Sequence, residues 1–175
     1  MSMVKLGAKE LRVSEPTEKQ LAGIKRRDIY IICDNVLDTY NIGSIFRLAD
    51  AVAAKKIYLC GESETPPNSR IAKASVGTDK WVPWEYASTV VDAVSSIKYQ
   101  VSSIKVIAIE QSKKSIDFRK ADYSEPVAFV VGHETEGVSK EVLEIADQVV
   151  EIPMFGVNIS LNVMVSLAIV LYRAI

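Results

Sequence analysis

The chain alternates short runs of continuous apolar residues with longer stretches in which apolar positions recur every three or four residues. The continuous runs are Asp28–Cys33, Lys56–Cys60, Lys105–Glu110, Val127–Gly132 and Gln148–Pro153. They are rich in Ile and Val with little polar alternation, the pattern of strands covered by helices on both faces. Helical periodicity falls on Ile42–Ala54, Thr89–Tyr99, Ser139–Ala146 and Leu161–Ala174, with a further helix over about Glu15–Ile24. This alternation predicts an α/β fold, a mostly parallel sheet flanked by helices. Ser63–Asn68, with its Pro66-Pro67 pair, reads as a loop. No repeat or linker divides the 175 residues, so one domain with a substantial core is expected.

The C-terminal segment is the most unusual. Val149–Pro153 reads as a short strand, Phe155–Ile159 as a polar turn, and the helix that follows carries no charge until Arg173. Such a helix must be buried against other elements or a partner. Ser160 and Asn162 sit where it begins. A turn holding Gly156, Asn158, Ser160 and Asn162 leaves backbone N–H and C=O groups free to face a ligand. A polar pocket beside an apolar docking surface is therefore expected.

Composition narrows the classes. Hydrophobic residues make up 49%, which excludes a disordered chain. Val163–Tyr172, the longest strongly apolar run, falls short of the roughly 20 residues a bilayer requires. The first ten residues lack the apolar core of a signal peptide, so a cytoplasmic protein is expected. Cys33 and Cys60 each follow an apolar run and read as buried thiols without metal-site spacing. A net charge of −1 exerts no global pull on nucleic acid, so RNA binding must come from local patches. Lys25-Arg26-Arg27, Lys55-Lys56, Arg70, Lys73 and Lys80 are candidates, and they equally suit a solvated surface of mixed sign.

The first strand runs into Asp34-Asn35-Val36-Leu37, and the chain holds neither G-x-G-x-x-G nor G-x-x-x-x-G-K-[ST], which excludes a dinucleotide fingerprint and a P-loop. In the following segment Asn41 is a predicted helix N-cap. Arg47 lies among Ile45, Phe46, Leu48 and Ala49, and its plain reading is an ion pair with Asp50. Further on, an apolar strand empties at Gly132 into a turn bearing Glu134 and Glu136. Ligands bind at such strand ends in open α/β sheets, although turn carboxylates are often merely solvated. His133 and Glu134 open an H-E-x-x-H pattern, but Gly137 occupies the second histidine position, so a zinc site is unsupported.

Taken together, three segments resemble the signatures of the SpoU/TrmH family, the RNA ribose 2′-O-methyltransferases of the SPOUT superfamily. They are N-x₅-N-x-G-[SA]-I-x-R at Asn35–Arg47, G-x-E-x-x-G at Gly132–Gly137, and I-P-M-x-G-x-x-x-S-L-N-V at Ile152–Val163. With a weaker match at Lys73-Ala-Ser-Val-Gly77 ahead of Trp81-Val-Pro, the resemblance covers residues 28–174. Thr39, Ala53 and Met164 depart from residues frequent in the family (Pro, Gly and Ser) and read as turn or packing variations.

The resemblance implies a C-terminal trefoil knot on residues 28–175, preceded by a helical extension over residues 1–27. It implies S-adenosyl-L-methionine as methyl donor, S-adenosyl-L-homocysteine as product, no metal, an RNA ribose 2′-hydroxyl as acceptor, and a homodimer through the knot region. By the same resemblance Val131, Gly132, Glu134, Gly137, Ile152, Met154, Gly156, Ser160 and Leu161 hold the cofactor. Arg47, Asn41, Glu134, Ser160 and Asn162 form the catalytic set. Arginine is almost never deprotonated, so Arg47 is read as gripping RNA phosphate and orienting the 2′-oxygen, with a base role left open. Lys73–Pro83 and Ile109-Glu110-Gln111 look most like the tRNA-guanosine branch. An rRNA acceptor, and a non-catalytic knotted RNA-binding protein, are the alternatives.

Overall fold

The computed structural model describes residues 5–101 and 103–175. Two short helices, α1 (Ala8–Val13) and α2 (Glu18–Ala22), lead into β1 (Arg27–Asp34). There follow α3 (Thr39–Ala51), β2 (Ala54–Cys60), α4 (Ser69–Ser75), β3 (Trp84–Ala87), α5 (Val90–Gln100), β4 (Lys105–Ile109) and β5 (Ile116–Asp117). The chain then runs through β6 (Val127–Val131), α6 (Lys140–Ile145), β7 (Gln148–Glu151) and α7 (Val163–Ala174), with single 3₁₀ turns at Thr78–Lys80 and Phe118–Lys120. The seven strands form one sheet in the order β3-β2-β1-β6-β4-β7-β5, every described pairing parallel.

Side chains alternate across a strand, so each apolar run feeds two cores. Ile29, Ile31 and Cys33 of β1 face one core, filled by Ile42, Ile45, Phe46 and Ala49 of α3 and by Leu167, Val170 and Leu171 of α7. Tyr30 and Ile32 face the other, against Val90, Ala93, Val94 and Ile97 of α5 and Val142 of α6. Full burial of one such side chain contributes about 1.5–3 kcal/mol, which is why the strands need no polar face. Cys33 and Cys60 are both buried and free. Burial pushes the Cys33 thiol far up and the Cys60 thiol up to about 12, so both stay protonated.

Several expectations are corrected. The N-cap of α3 is Asp38, whose carboxylate accepts the Tyr40 N–H at 2.7 Å, and Asn41 lies inside the helix with its amide turned inward. The helix ends at Ala51 rather than Ala54, because Ala53 adopts φ +52° and Ala54 already belongs to β2. The helix expected over Glu15–Ile24 is the shorter α2, capped by the Thr17 hydroxyl and Gln20, and α1 ahead of it was not foreseen. β7 stops at Glu151, before Pro153, which has no N–H for the ladder. α4, β3 and β5 were not foreseen. α4 packs closely on α3: a Cβ on Gly43 would lie 2.8 Å from both the Ile71 carbonyl and the Ser75 nitrogen.

Candidate active site

The carboxyl ends of β4, β6 and β7 open into a cleft of about 580 Å³, walled on its far side by residues 158–163 leading into α7. Of nine positions expected to hold a cofactor, Val131, Gly132, Glu134, Gly137, Ile152, Met154, Ser160 and Leu161 line it. Gly156 does not; a Cβ there would meet nothing within 4 Å.

The rim after β6 is built on backbone proximity. His133 and Gly137 exchange N–H···O bonds of 3.0 and 2.9 Å, closing a tight turn. The His133 Nδ1 accepts the N–H groups of Thr135 (3.0 Å) and Glu136 (3.2 Å), so this ring works as a turn cap. Any Cβ on Gly132 would collide with the backbone of Gly137 and Val138. Gly137 itself has φ +73° and leaves no room for a Cβ against the Glu110 carboxylate.

Glu110 was not foreseen as a site residue. Its carboxylate accepts the N–H of Val138 at 2.8 Å and of Gln111 at 2.7 Å, while the Gln111 side chain donates to the Ile159 carbonyl. It thus ties the ends of β4 and β6 and the C-terminal loop together across the cleft floor. The signal was present, a carboxylate at a parallel strand's end, but extending the strand through Glu110 hid it. Asp34 was missed for the opposite reason: the strand was ended at Cys33, whereas β1 runs through Asp34. It is buried and accepts the Ser139 N–H at 2.8 Å, fixing the start of α6 to the end of β1.

Asn41, Glu134 and Asn162, remote in sequence, form one hydrogen-bonded chain. Glu134 accepts the Leu37 N–H at 3.2 Å, the Asp38 N–H at 3.0 Å and Asn41 Nδ2 at 3.0 Å. Asn41 Oδ1 in turn accepts Asn162 Nδ2 at 2.9 Å. The Asn162 Oδ1 caps α7 by accepting from Met164 (2.9 Å) and Val165 (3.4 Å). Every amide orientation is forced: a carboxylate only accepts, and backbone N–H groups only donate. Partial burial pushes the Glu134 carboxyl up, but the bonds from Asn41, Asp38 and Leu37 outweigh it and hold the group below the ordinary glutamate value.

Ser160 is on the cleft wall, exposed, its N–H bonded to the Asn158 side chain at 3.3 Å. Arg47 does not line the cleft. It lies six residues beyond Asn41, about 9 Å along α3 and turned through roughly 120°, and it is exposed. Among the described residues its guanidinium has no hydrogen-bond or ion-pair partner. The expected Asp50 pair is absent, and Asp50 feels Arg26 and Lys5 instead.

The charges lining the cleft are Glu110, Glu134, Glu136 and Glu151, with no Lys or Arg. Such a lining suits a ligand that carries positive charge and is held otherwise by main chain. Among the described residues no group of three His, Cys, Asp or Glu could hold a metal ion.

Comparison with known proteins gives a consistent result. The SpoU rRNA Methylase family model matches residues 28–172. The tRNA (guanosine(18)-2′-O)-methyltransferase of Aquifex aeolicus is 35% identical over 164 residues, 93% of this chain and 74% of that protein. Its counterpart in Escherichia coli K12 is 34% identical over 86% of this chain, which spans only 64% of the relative's length. The crystal structure of the A. aeolicus TrmH/SpoU tRNA modifying enzyme superposes with TM-score 0.77 at 34% identity, covering 95% of this chain and 80% of that one. The AdoMet-bound rRNA methyltransferase of Sinorhizobium meliloti superposes with TM-score 0.76 at 30% identity, over 94% of this chain and 59% of that one.

Proposed function

The chain belongs to the SpoU rRNA methylase family, and from that premise we propose that it transfers a methyl group from S-adenosyl-L-methionine to an RNA ribose 2′-oxygen, with a tRNA guanosine as acceptor. The observation that carries this reading is the Glu134–Asn41–Asn162 chain at the edge of an acid-lined cleft. It joins all three signature segments in one rigid unit.

The cleft fits the proposed donor in size, in charge and in the close backbone at Gly132 and Gly137. The donor supplies an electrophilic methyl on a sulfonium. The protein's part is positioning, which can lower a barrier by about 7–11 kcal/mol. Val131, Gly132, Gly137, Ile152, Met154, Ser160 and Leu161 hold the cofactor chiefly by main chain, and Glu134 with Glu110 fixes the loop they belong to. Gly156, at the exposed tip, is a cofactor contact only if the loop folds inward. Arg47 grips the acceptor's phosphate, and Asn41, Asn162 and Ser160 hold the approach to the 2′-oxygen.

The rest of the reading travels with it. Residues 28–175 form one knotted catalytic domain, and residues 1–27 are an extension. Exposed Phe155 (92%), Val157, Ile159, Val165 and Tyr172 form the seam of a homodimer. Among the described residues no helix is long and apolar enough to cross a membrane, and the cytoplasm, where tRNA resides, is the proposed location. A ribosomal acceptor is the second reading, favoured by the likeness to the S. meliloti rRNA methyltransferase.

Arg47→Ala and Arg47→Lys test the assignment. The alanine variant is expected to lose methyl transfer while binding S-adenosyl-L-methionine unchanged in a calorimetric titration. The lysine variant keeps the charge but not the bidentate fork, and is expected to stay largely inactive. Near-full turnover by the alanine variant on its true RNA would refute the role.

A further inference from the structure

The basic residues singled out in the sequence do not share one fate. Arg26 donates to the carbonyls of Ala54 and Trp81. Arg27 pairs with Glu125, Lys55 with Asp28, Lys56 with Glu85 and Lys80 with Glu15. These charges are spent within the fold. Lys25 has no described partner but precedes β1, at the amino end of a central strand and so away from the carboxyl ends that open into the cleft. Arg70 and Lys73 remain, both exposed on α4 and both without an acidic or hydrogen-bonded partner for their side chains among the described residues.

α4 packs on the stripe of α3 that runs to Arg47. Gly43 is the point where α3 and α4 touch, against Ile71, Ala74 and Ser75. Tyr40, Gly43, Ser44 and Arg47 share one stripe of α3 by their i, i+3, i+4, i+7 spacing. Arg70 lies one turn from Ala74, and Lys73 is adjacent to it. The stripe therefore carries an aromatic ring that is 53% exposed, a free guanidinium, and two further free cations across the helix seam. Backbone-tracking cations interleaved with an exposed aromatic make the combination that grips single-stranded nucleic acid.

We propose that the α3–α4 face, through Tyr40, Arg70 and Lys73 beside Arg47, is the track for the single-stranded RNA that flanks the acceptor nucleotide. Arg70 and Lys73 hold phosphates on either side of the one at Arg47, and Tyr40 stacks on a neighbouring base. This rests on the methyl-transfer reading above and adds to it the route by which RNA approaches.

The test uses the full chain and a labelled, unmodified tRNA transcript. Binding is measured across a salt series, alongside turnover and a cofactor titration. Each lost phosphate contact removes about 0.7–0.9 from the slope of log K against log salt, so Arg70→Gln/Lys73→Gln is expected to lower it by about 1.4–1.8 and weaken binding about tenfold near physiological salt. Turnover should show a raised KM for RNA with kcat retained, and cofactor affinity should not move. Tyr40→Ala is expected to weaken binding about tenfold at an unchanged slope, with Tyr40→Phe restoring it. Lys98→Gln, on α5, controls for general charge loss and should change nothing.

If the wild type binds and methylates RNA while the double variant keeps its slope and KM, the track is overturned and the methyl-transfer reading stands. If the wild type binds RNA with the predicted losses but transfers no methyl, the track stands and that reading falls. A wild type that does not bind RNA overturns both.

Discussion

Asn162 is the residue whose replacement separates stability from catalysis most cleanly. Its Oδ1 caps α7 through Met164 and Val165, and its Nδ2 holds Asn41. Asn162→Ala removes both functions. Loss of an N-cap costs about 1 kcal/mol, and loss of one side-chain hydrogen bond about 1 kcal/mol more. The sum, about 2 kcal/mol, corresponds to a fall in Tm of roughly 4–8 °C for a domain of this size. Asn162→Asp keeps the cap, and a carboxylate at a helix N-terminus is favourable. It cannot donate to Asn41, however, and it sets a second anion across that amide from Glu134. The aspartate variant should therefore recover about 1 kcal/mol relative to alanine, the worth of the cap, yet remain as poor a methyltransferase. Urea unfolding gives the stabilities, and initial rates of label transfer to RNA give the activities. An aspartate variant with wild-type turnover, or an alanine variant that loses less than about 0.5 kcal/mol, would refute the claim that this amide links the α7 cap to the site.

Other substitutions probe neighbouring parts of the account. Ala53 pays for its φ of +52° in left-handed strain, and Ala53→Gly should raise unfolding stability by about 1 kcal/mol; unchanged or lowered stability in urea would contradict this. Gly137→Ala drives a methyl against the Glu110 carboxylate at φ +73° and should cost about 1–3 kcal/mol together with most cofactor affinity by calorimetry; Glu110→Ala in the same chain should return part of the stability but not the bonds to Val138 and Gln111. Glu134 has its folded carboxyl below the ordinary value of 4.5, so its contribution is complete above that value and disappears as pH falls through the folded one. Glu134→Gln should therefore flatten the loss of Tm between about pH 5 and pH 3, and a variant whose Tm falls in parallel with the wild type would rule the contribution out.

The strands and the two-sided core were legible because both rest on local composition. Ile29–Cys33 and Val127–Val131 are apolar at every position, and only a sheet covered on both faces accommodates that. The segments that escaped notice owe their form to tertiary contact. α4 is seven residues long, carries few apolar positions, and is held by its seam with Gly43. β3 and β5 are edge strands with half-exposed side chains and no strong periodicity. Asn41 was legible as important but not in its part: its spacing from the strand suited an N-cap, whereas Asp38, three residues earlier, caps the helix and frees Asn41 for Glu134 and Asn162. Nothing local announces a bond between positions 41 and 162. Glu110 was hidden inside a strand assignment one residue too long and Asp34 fell just outside one that was one residue too short, and strand ends are where sequence periodicity fades.

The central claim is that an acid-lined cleft presents a sulfonium-borne methyl to an RNA ribose. The most direct test supplies the protein with S-adenosyl-L-methionine labelled on its methyl group and RNA from cells lacking the gene, then digests the product to nucleosides for mass spectrometry. The account predicts label on the ribose of a 2′-O-methylguanosine recovered from tRNA. Label on a nucleobase, or none in any RNA under conditions where the cofactor binds, would contradict it.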